Sequence, residues 1–174
     1  MLLRRKPPHA GQWNGVGGKI ETGETPRACI LREVQEETAI DLRKADELRF
    51  GGIVTWPADD SVNGQGSGMY VYVAEFSDSS ITWSGDRSVA DGTLRWQHQN
   101  WVCDVANREV VANIRTFLPP MLRGEAPLEY FCAFQGDVLV GVQPRPLLQA
   151  TNEHDSSNNE QHAQDTLGRH RHFR

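Results

Sequence analysis

Apolar and polar positions change period several times along this chain, and each change marks an element. Leu2-Leu3 is followed at once by Arg4, Arg5 and Lys6, which reads as the end of a strand running into the Pro7-Pro8 turn. From Pro26 to about Thr38 the pattern is helical. Thr25 supplies an N-cap oxygen, and Pro26 suits the first helical position, where a missing N–H costs nothing. Ala28, Leu31, Val34 and Thr38 fall on one side of that helix and predict a stripe facing the core. Glu47–Trp56 has strand character, with Gly51-Gly52 placed for a bulge. Met69–Phe76 is the clearest strand, and the stretch PADDSVNGQGSG before it reads as a loop. Thr93–Gln97 predicts a short strand. Val105–Leu118 carries Val110, Val111, Ile114, Phe117 and Leu118 at helical spacing, with Pro119-Pro120 expected to end it. Glu129–Phe134 and Val138–Val142 flank Gln135-Gly136-Asp137, a hairpin signal. Strands interleaved with two helices predict an α+β fold, a mixed sheet sandwiched between helices, with no internal repeat.

At 174 residues the chain is long enough for one domain with a real core. Residues 1–147 are expected to form it, and residues 148–174, almost without apolar side chains, to be a disordered polar tail. His154, His162, His170 and His172 are irregularly spaced in that tail and carry no metal pattern. No stretch approaches the roughly 20 apolar residues of a membrane span. The start, MLLRRKPPHAGQW, has no apolar signal region. Three isolated cysteines, Cys29, Cys103 and Cys132, form neither a zinc pattern nor a disulfide framework, so a reducing cytoplasm is expected. A net charge of −5 argues against a nucleic-acid polymer as partner. It remains compatible with a polyphosphate whose countercharge comes from a divalent cation.

The chemistry concentrates in GKIETGETPRACILREVQEETAI, residues 18–40. Glu33, Glu36 and Glu37 stand at i, i+3 and i+4 of the predicted helix and share one face. Three neighbouring carboxylates repel one another, so an exposed acidic face is the plain reading. The Gly17-Gly18 loop just before the helix changes that reading. Glycines admit close backbone approach and offer carbonyl oxygens, and clustered hard oxygens are what Mg²⁺ or Mn²⁺ prefers. Glu33, Glu36 and Glu37 are therefore read as a carboxylate set for a divalent metal, beside a loop able to offer carbonyl oxygens. Arg32 and Glu24 are expected behind them, Arg32 holding carboxylates in place through forked hydrogen bonds.

Glycine, five residues, Glu24, seven residues, Arg32-Glu33, a hydrophobe, any residue, Glu36-Glu37, any residue, then Ala39 and Ile40: this run resembles the Nudix box, with Ala39 where that family has Gly. The chain resembles the Nudix hydrolases over roughly residues 1–145. The resemblance implies an α/β/α sandwich in which the box forms a loop-helix-loop, with Glu33, Glu36, Glu37 and the backbone carbonyl of Gly17 binding one or more Mg²⁺. It also implies hydrolysis of a diphosphate linkage in a nucleoside diphosphate carrying a further group. A carboxylate, Glu33 or Glu36, would take the proton from the attacking water. Asp91, shortly before Leu94-Arg95-Trp96, falls where relatives place a further acidic metal ligand, or it forms an ordinary Asp-Gly turn. Lys19 would meet a phosphate or stand solvated beside the acidic box. The family fold opens with a strand ahead of the segment matched by Leu2–Lys6, so the resemblance implies a first strand missing or truncated in this sequence.

Trp13-Asn14-Gly15-Val16-Gly17-Gly18-Lys19 is similar to the run WNGxGGK of the subgroup that hydrolyses oxidised purine nucleoside triphosphates, and Tyr130–Gly136 is similar to its final hairpin. The resemblance implies that Asn14 contacts the base, its amide donating and accepting at once. Asn113 falls roughly where that subgroup carries a second base-reading group, commonly Asp, or is a helix-surface residue. Trp13 is expected to pack, and Trp56 to be a half-buried strand residue. The expected activity is Mg²⁺-dependent conversion of 8-oxo-dGTP or a similar nucleotide to its monophosphate and pyrophosphate, by a monomer or homodimer. Rival expectations are another Nudix substrate (ADP-ribose, a dinucleoside polyphosphate, a pyrimidine triphosphate) or a module that senses a nucleotide without hydrolysing it.

Overall fold

Two β-sheets and three helices organise the chain in the computed structural model, which describes residues 1–57, 67–78, 81–136 and 138–147 and the backbone of 172–173. Most of the polar segment at 148–174, expected to be disordered, and most of the loop before the Met69 strand lie outside the described residues. The smaller sheet is antiparallel. It places β1 (Leu2–Arg4) between β2 (Trp13–Asn14) and β6 (Gly92–Leu94), with β5 (Arg87–Val89) on the outer side of β6. Gly92 allows β6 to lie this close, because a Cβ there would collide with the Leu3 carbonyl. The larger sheet is mixed, in the order β8 (Val138–Pro146), β7 (Leu128–Gln135), β3 (Glu47–Trp56), β4 (Ser67–Glu75), with His172–Phe173 pairing alongside β4 as β9. Strands β3 and β7 run parallel, and the other long pairs are antiparallel. The expected α+β class holds, with the strands divided over two sheets.

The Gly51-Gly52 interruption is a bulge: Phe50 pairs with Tyr72 and Gly52 with the next residue, Val71. From Gly52 onward β3 also accepts β7, starting with Gly52 opposite Leu128. Gly52 has φ 139°, and a Cβ would strike the Leu128 carbonyl. The bulge is therefore where the sheet acquires its parallel neighbour.

Helix α1 spans Pro26–Thr38, α2 Gln99–Cys103 and α3 Ile114–Leu122. The single helix expected over 105–118 is not formed, and Pro119-Pro120 lies inside α3 instead of ending it. Two local bonds favour turns over helix: Asp104 Oδ1 accepts the Ala106 N–H and Asn107 Oδ1 accepts the Glu109 N–H. Trp13 then captures the next residues. Its N–H donates to the Glu109 carbonyl at 2.7 Å, its carbonyl accepts from the Val111 N–H at 3.0 Å, and it bridges in parallel to Val110. The prolines are tolerated because Phe117 and Met121 on either side of them are buried against the large sheet. Arg49 closes α3 by donating to the Met121 carbonyl at 2.6 Å and the Leu122 carbonyl at 3.3 Å.

The main core lies between α2, α3 and the large sheet: Trp13, Val54, Val73, Val102, Val110, Val111, Ile114, Phe117, Met121, Tyr130 and Cys132. Trp13 meets Trp101 edge-on at 6.3 Å, and Phe117 meets Tyr130 at 6.2 Å. Trp56 is half-buried and packs on the same cluster, as its strand position implied. The short strand expected over 93–97 stops at Leu94, and its partner β5 was not legible in the pattern. No described helix is long and apolar enough to cross a membrane.

Replacing Gly52 by Ala should destabilise the fold by at least about 2 kcal/mol, because the obstacle is backbone. Gly51→Ala should cost clearly less, since its Cβ would meet only the flexible Met121 side chain, at 3.0 Å from sulfur. Urea unfolding of the two variants checks this, and equal losses would refute the role given to Gly52.

Candidate active site

Helix α1 forms where its caps dictate. The Thr25 hydroxyl accepts the Ala28 N–H at 3.1 Å, and Pro26 takes the first position. At the other end Ala39 adopts φ 63°, the conformation usually left to Gly, and donates to the Gln35 carbonyl at 2.9 Å. That costs on the order of 1 kcal/mol relative to Gly but removes no polar group from the site. Arg87 donates to the Thr38 carbonyl at 3.2 Å and completes the cap. The face predicted to be apolar is corrected in part: Ala28 is exposed, Leu31 and Val34 are half-buried, and Cys29 and Thr38 are the buried positions. The helix packs against the glycine loop, with Cys29 Sγ 4.0 Å from the Gly18 carbonyl, which draws Cys29 inward.

Arg32 organises the site. Its Nε and Nη2 grip both oxygens of Glu24 at 3.0 and 2.9 Å, Nη1 donates to Glu33 Oε1 at 2.8 Å and to Glu36 Oε2 at 3.3 Å, and Nη2 reaches the Lys19 carbonyl at 3.2 Å. Glu24 also accepts the Glu21 N–H at 3.0 Å. The Arg32 fork first, and the Glu21 N–H second, pull the Glu24 carboxyl down to about 2. Those same bonds to Glu24 and Glu33 hold the Arg32 guanidinium firmly protonated. Burial pushes the neighbouring Cys29 thiol up to about 11, so it stays a thiol.

Glu33 and Glu37 line the glycine loop. A Cβ on Gly18 would occupy the space of the Glu33 carboxylate, so this Gly is a cradle. Glu37 accepts the Gly17 N–H, its Oε2 is buried without a partner, and burial raises its pKa, with the charges of Glu33 and Asp91 adding to the rise. The contact Gly17 makes here is through its N–H. Among the described residues no three Asp, Glu, His or Cys side chains converge as a ligand set, and Arg32 bridges Glu33 and Glu36. The residues nonetheless fit a hard divalent cation: an orphaned buried carboxylate oxygen, a glycine cradle and a donor set made wholly of oxygen.

The remaining expected residues divide. Asp91 sits in the two-residue turn between β5 and β6, close enough to Glu37 to raise its pKa and 3.8 Å from Lys6 Nζ. Lys19 is exposed and tied in through its backbone carbonyl. Asn14 Oδ1 accepts the Gly15 N–H at 2.8 Å. Asn113 is buried at the start of α3, its Nδ2 3.6 Å from Cys132 Sγ and its Oδ1 without a partner. The Trp13–Val110 bridge joins the strand that carries Asn14 to the segment that leads into Asn113, although 99 positions separate the two asparagines (113 − 14). Arg4 and Lys6 have no role in the sequence pattern alone; the end of β1 sets Arg4 near Glu37, and the turn that follows sets Lys6 beside Asp91. Three consecutive cations preceding an acidic box were the available signal.

A family model described as the NUDIX domain matches residues 1–105, and the chain belongs to the Nudix family. Among curated relatives it is 29% identical over 129 residues to the uncharacterized Nudix hydrolase YvcI of Bacillus subtilis, covering 74% of this chain and 75% of that one. It is 37% identical over 51 residues to the oxidized purine nucleoside triphosphate hydrolase of Danio rerio, covering 28% of this chain and 33% of that protein. It is 30% identical over 82 residues to the NAD-capped RNA hydrolase NudC of Vibrio atlanticus, covering 47% of this chain. The match spans only 27% of that enzyme's length.

Glu24 is depressed in the folded state, so the stabilisation from its Arg32 grip is complete above the ordinary value of 4.5 and is lost as pH falls toward about 2. Thermal melts of wild type and Glu24→Gln should differ at pH 6 and converge as pH approaches 2. A constant gap across that window would contradict the assignment.

Proposed function

We propose that this protein is a Mg²⁺-dependent pyrophosphohydrolase of nucleoside triphosphates that prefers oxidised purines such as 8-oxo-dGTP, releasing the monophosphate and pyrophosphate. The observation that carries the substrate reading is the buried, unpaired Asn113 acceptor at the start of α3, in the segment that bridges through Val110 to the strand bearing Asn14. A buried polar atom without a partner is costly in a folded chain, and a ligand N–H would satisfy it. The relative of Danio rerio named for oxidized purine nucleoside triphosphates adds support from a separate source.

Glu33, Glu36 and Glu37 would hold the metal, with Gly17 and Asp91 at its margin. A divalent cation bound there would neutralise phosphate charge and make water more acidic; Mn²⁺ would substitute for Mg²⁺. Glu36, 61% exposed and held by one long bond at 3.3 Å, is the carboxylate best placed to accept a proton from the attacking water. Glu33, 16% exposed and held at 2.8 Å, is more constrained. Arg32 keeps the row aligned and offsets its mutual repulsion. Arg4, Lys6 and Lys19 supply positive charge beside the carboxylates, where a polyphosphate would lie. The cysteines are all unpaired, which suits the reducing cytoplasm we assign to the protein. Residues 1–147 would carry the whole activity.

Glu36→Gln should lower kcat at least ~10²-fold, the scale of removing one preorganised electrostatic group. Steady-state hydrolysis with Mg²⁺ tests this, and near-normal turnover would remove Glu36 from the site. Asn14→Ala should weaken discrimination between 8-oxo-dGTP and dGTP while the Mg²⁺ dependence stays as in wild type; unaltered selectivity would refute base reading by Asn14. Product analysis over 8-oxo-dGTP, dGTP, dCTP, ADP-ribose and a diadenosine polyphosphate, with Glu36→Gln alongside to exclude contaminants, tests the whole assignment. Turnover of a different substrate would keep the box and discard the purine reading, and no turnover by the folded protein would favour a nucleotide sensor.

A further inference from the structure

Where α3 begins beneath β7, Asn113 meets Cys132, and the contact decides which way the amide faces. Asn113 is only 9% exposed and Cys132 is fully buried, at 0%. The Cys132 thiol donates toward the Tyr130 carbonyl at 4.0 Å, and Asn113 Nδ2 donates to Cys132 Sγ at 3.6 Å. An amide can be turned over with little change of shape, so its orientation follows from the hydrogen bonds around it. With its one hydrogen spent on Tyr130, the sulfur retains only lone pairs for Asn113. The amide nitrogen must therefore face Cys132, leaving Oδ1 on the opposite side, buried and without a partner.

We propose that Cys132 is a positioning residue for substrate selection: it locks the Asn113 amide so that the site presents a fixed acceptor and takes a purine whose edge offers an N–H there. This rests on the base-reading role given to Asn113 above. An aspartic acid at this position would donate or accept according to its protonation, whereas an asparagine whose nitrogen is held by a thiol keeps its oxygen, an acceptor, on the far side. The distinction bears directly on oxidised purines. In guanine N7 is an acceptor; the 8-oxo form carries a hydrogen on N7 and becomes a donor there. The Asn113 Oδ1 pairs with the second and faces a lone pair in the first. Specificity of this kind arises because the mismatched ligand leaves buried groups unpaired. The thiol itself touches neither nucleotide nor metal in this scheme and acts only through Asn113.

The test is steady-state kinetics of the full chain with Mg²⁺ on 8-oxo-dGTP and dGTP. Cys132→Ala should raise KM for 8-oxo-dGTP about tenfold with kcat little changed, and should lower the 8-oxo-dGTP preference by a similar factor. Cys132→Ser, whose hydroxyl can donate to Tyr130 and accept from Asn113, should restore both. If the Ala variant does not melt cooperatively, Cys132→Val fills the core without supplying an acceptor and carries the same expectation. Selectivity retained in the folded Ala or Val variant, or a Ser variant no better than Ala, would overturn the proposal. Asn113→Ala separates the two levels. If it abolishes selectivity while Cys132→Ala does not, base reading stands and the thiol lock falls; if it leaves selectivity intact, base reading by Asn113 fails and the lock falls with it.

Discussion

The Arg32 guanidinium is the constraint on which the candidate site depends. Glu24, Glu33 and Glu36 would repel one another and splay into solvent without a cation among them, and the loop carrying Lys19 would have no fixed path to the helix. One planar fork answers all of this by gripping both Glu24 oxygens, two helix carboxylates and the Lys19 carbonyl. A lysine would supply the charge but not the simultaneous geometry. Arg32 also engages one oxygen each of Glu33 and Glu36, leaving their other oxygens outside its grip. Glu37 escapes that grip, and it is the residue left with a buried, unpaired oxygen.

The site sits at the meeting of two kinds of order. The loop and helix of residues 18–40 are stabilised locally, by a cap, a proline and a fork, and the helix ends at a left-handed Ala39. The surrounding walls come from distant segments. The β5–β6 turn supplies Asp91, the end of β1 and the turn after it supply Arg4 and Lys6, and the Trp13 bridge draws in the residues that precede α3. Helix α1 joins these walls through polar contacts and a few half-buried side chains, while the tight apolar packing lies around α2, α3 and the large sheet. Rigidity in the scaffold and polar adaptability at the box suit a site that must admit and release a charged ligand.

Much of this was legible in the residues because the governing interactions are short in sequence. Thr25, Pro26 and the spacing of Glu33, Glu36 and Glu37 determine the helix and its acidic face from within fifteen residues, and the Gly51-Gly52 pair announced its bulge. The Nudix family followed from the same compact run, and the matching domain model includes it. Helical periodicity failed at Val110-Val111. Two valines followed by Ile114 and Phe117 fit a helix as well as they fit a strand bridge and a separate helix, and local pattern cannot choose between them.

What the sequence alone determined, then, was everything held by neighbours along the chain: the capped box helix, the carboxylate row, the glycine loop and most strands. Tertiary structure decided what depends on partners roughly a hundred residues away. Trp13 pulled Val110 out of a helix because burying the indole and pairing its backbone required an extended partner, and that displacement put Asn113 at the buried start of α3. The turn between β5 and β6 brought Asp91 to Glu37 because β6 must lie against β1, at a distance that only the glycine at 92 permits. Such contacts are selected by the packing energy of the whole core, and no window of sequence contains both partners.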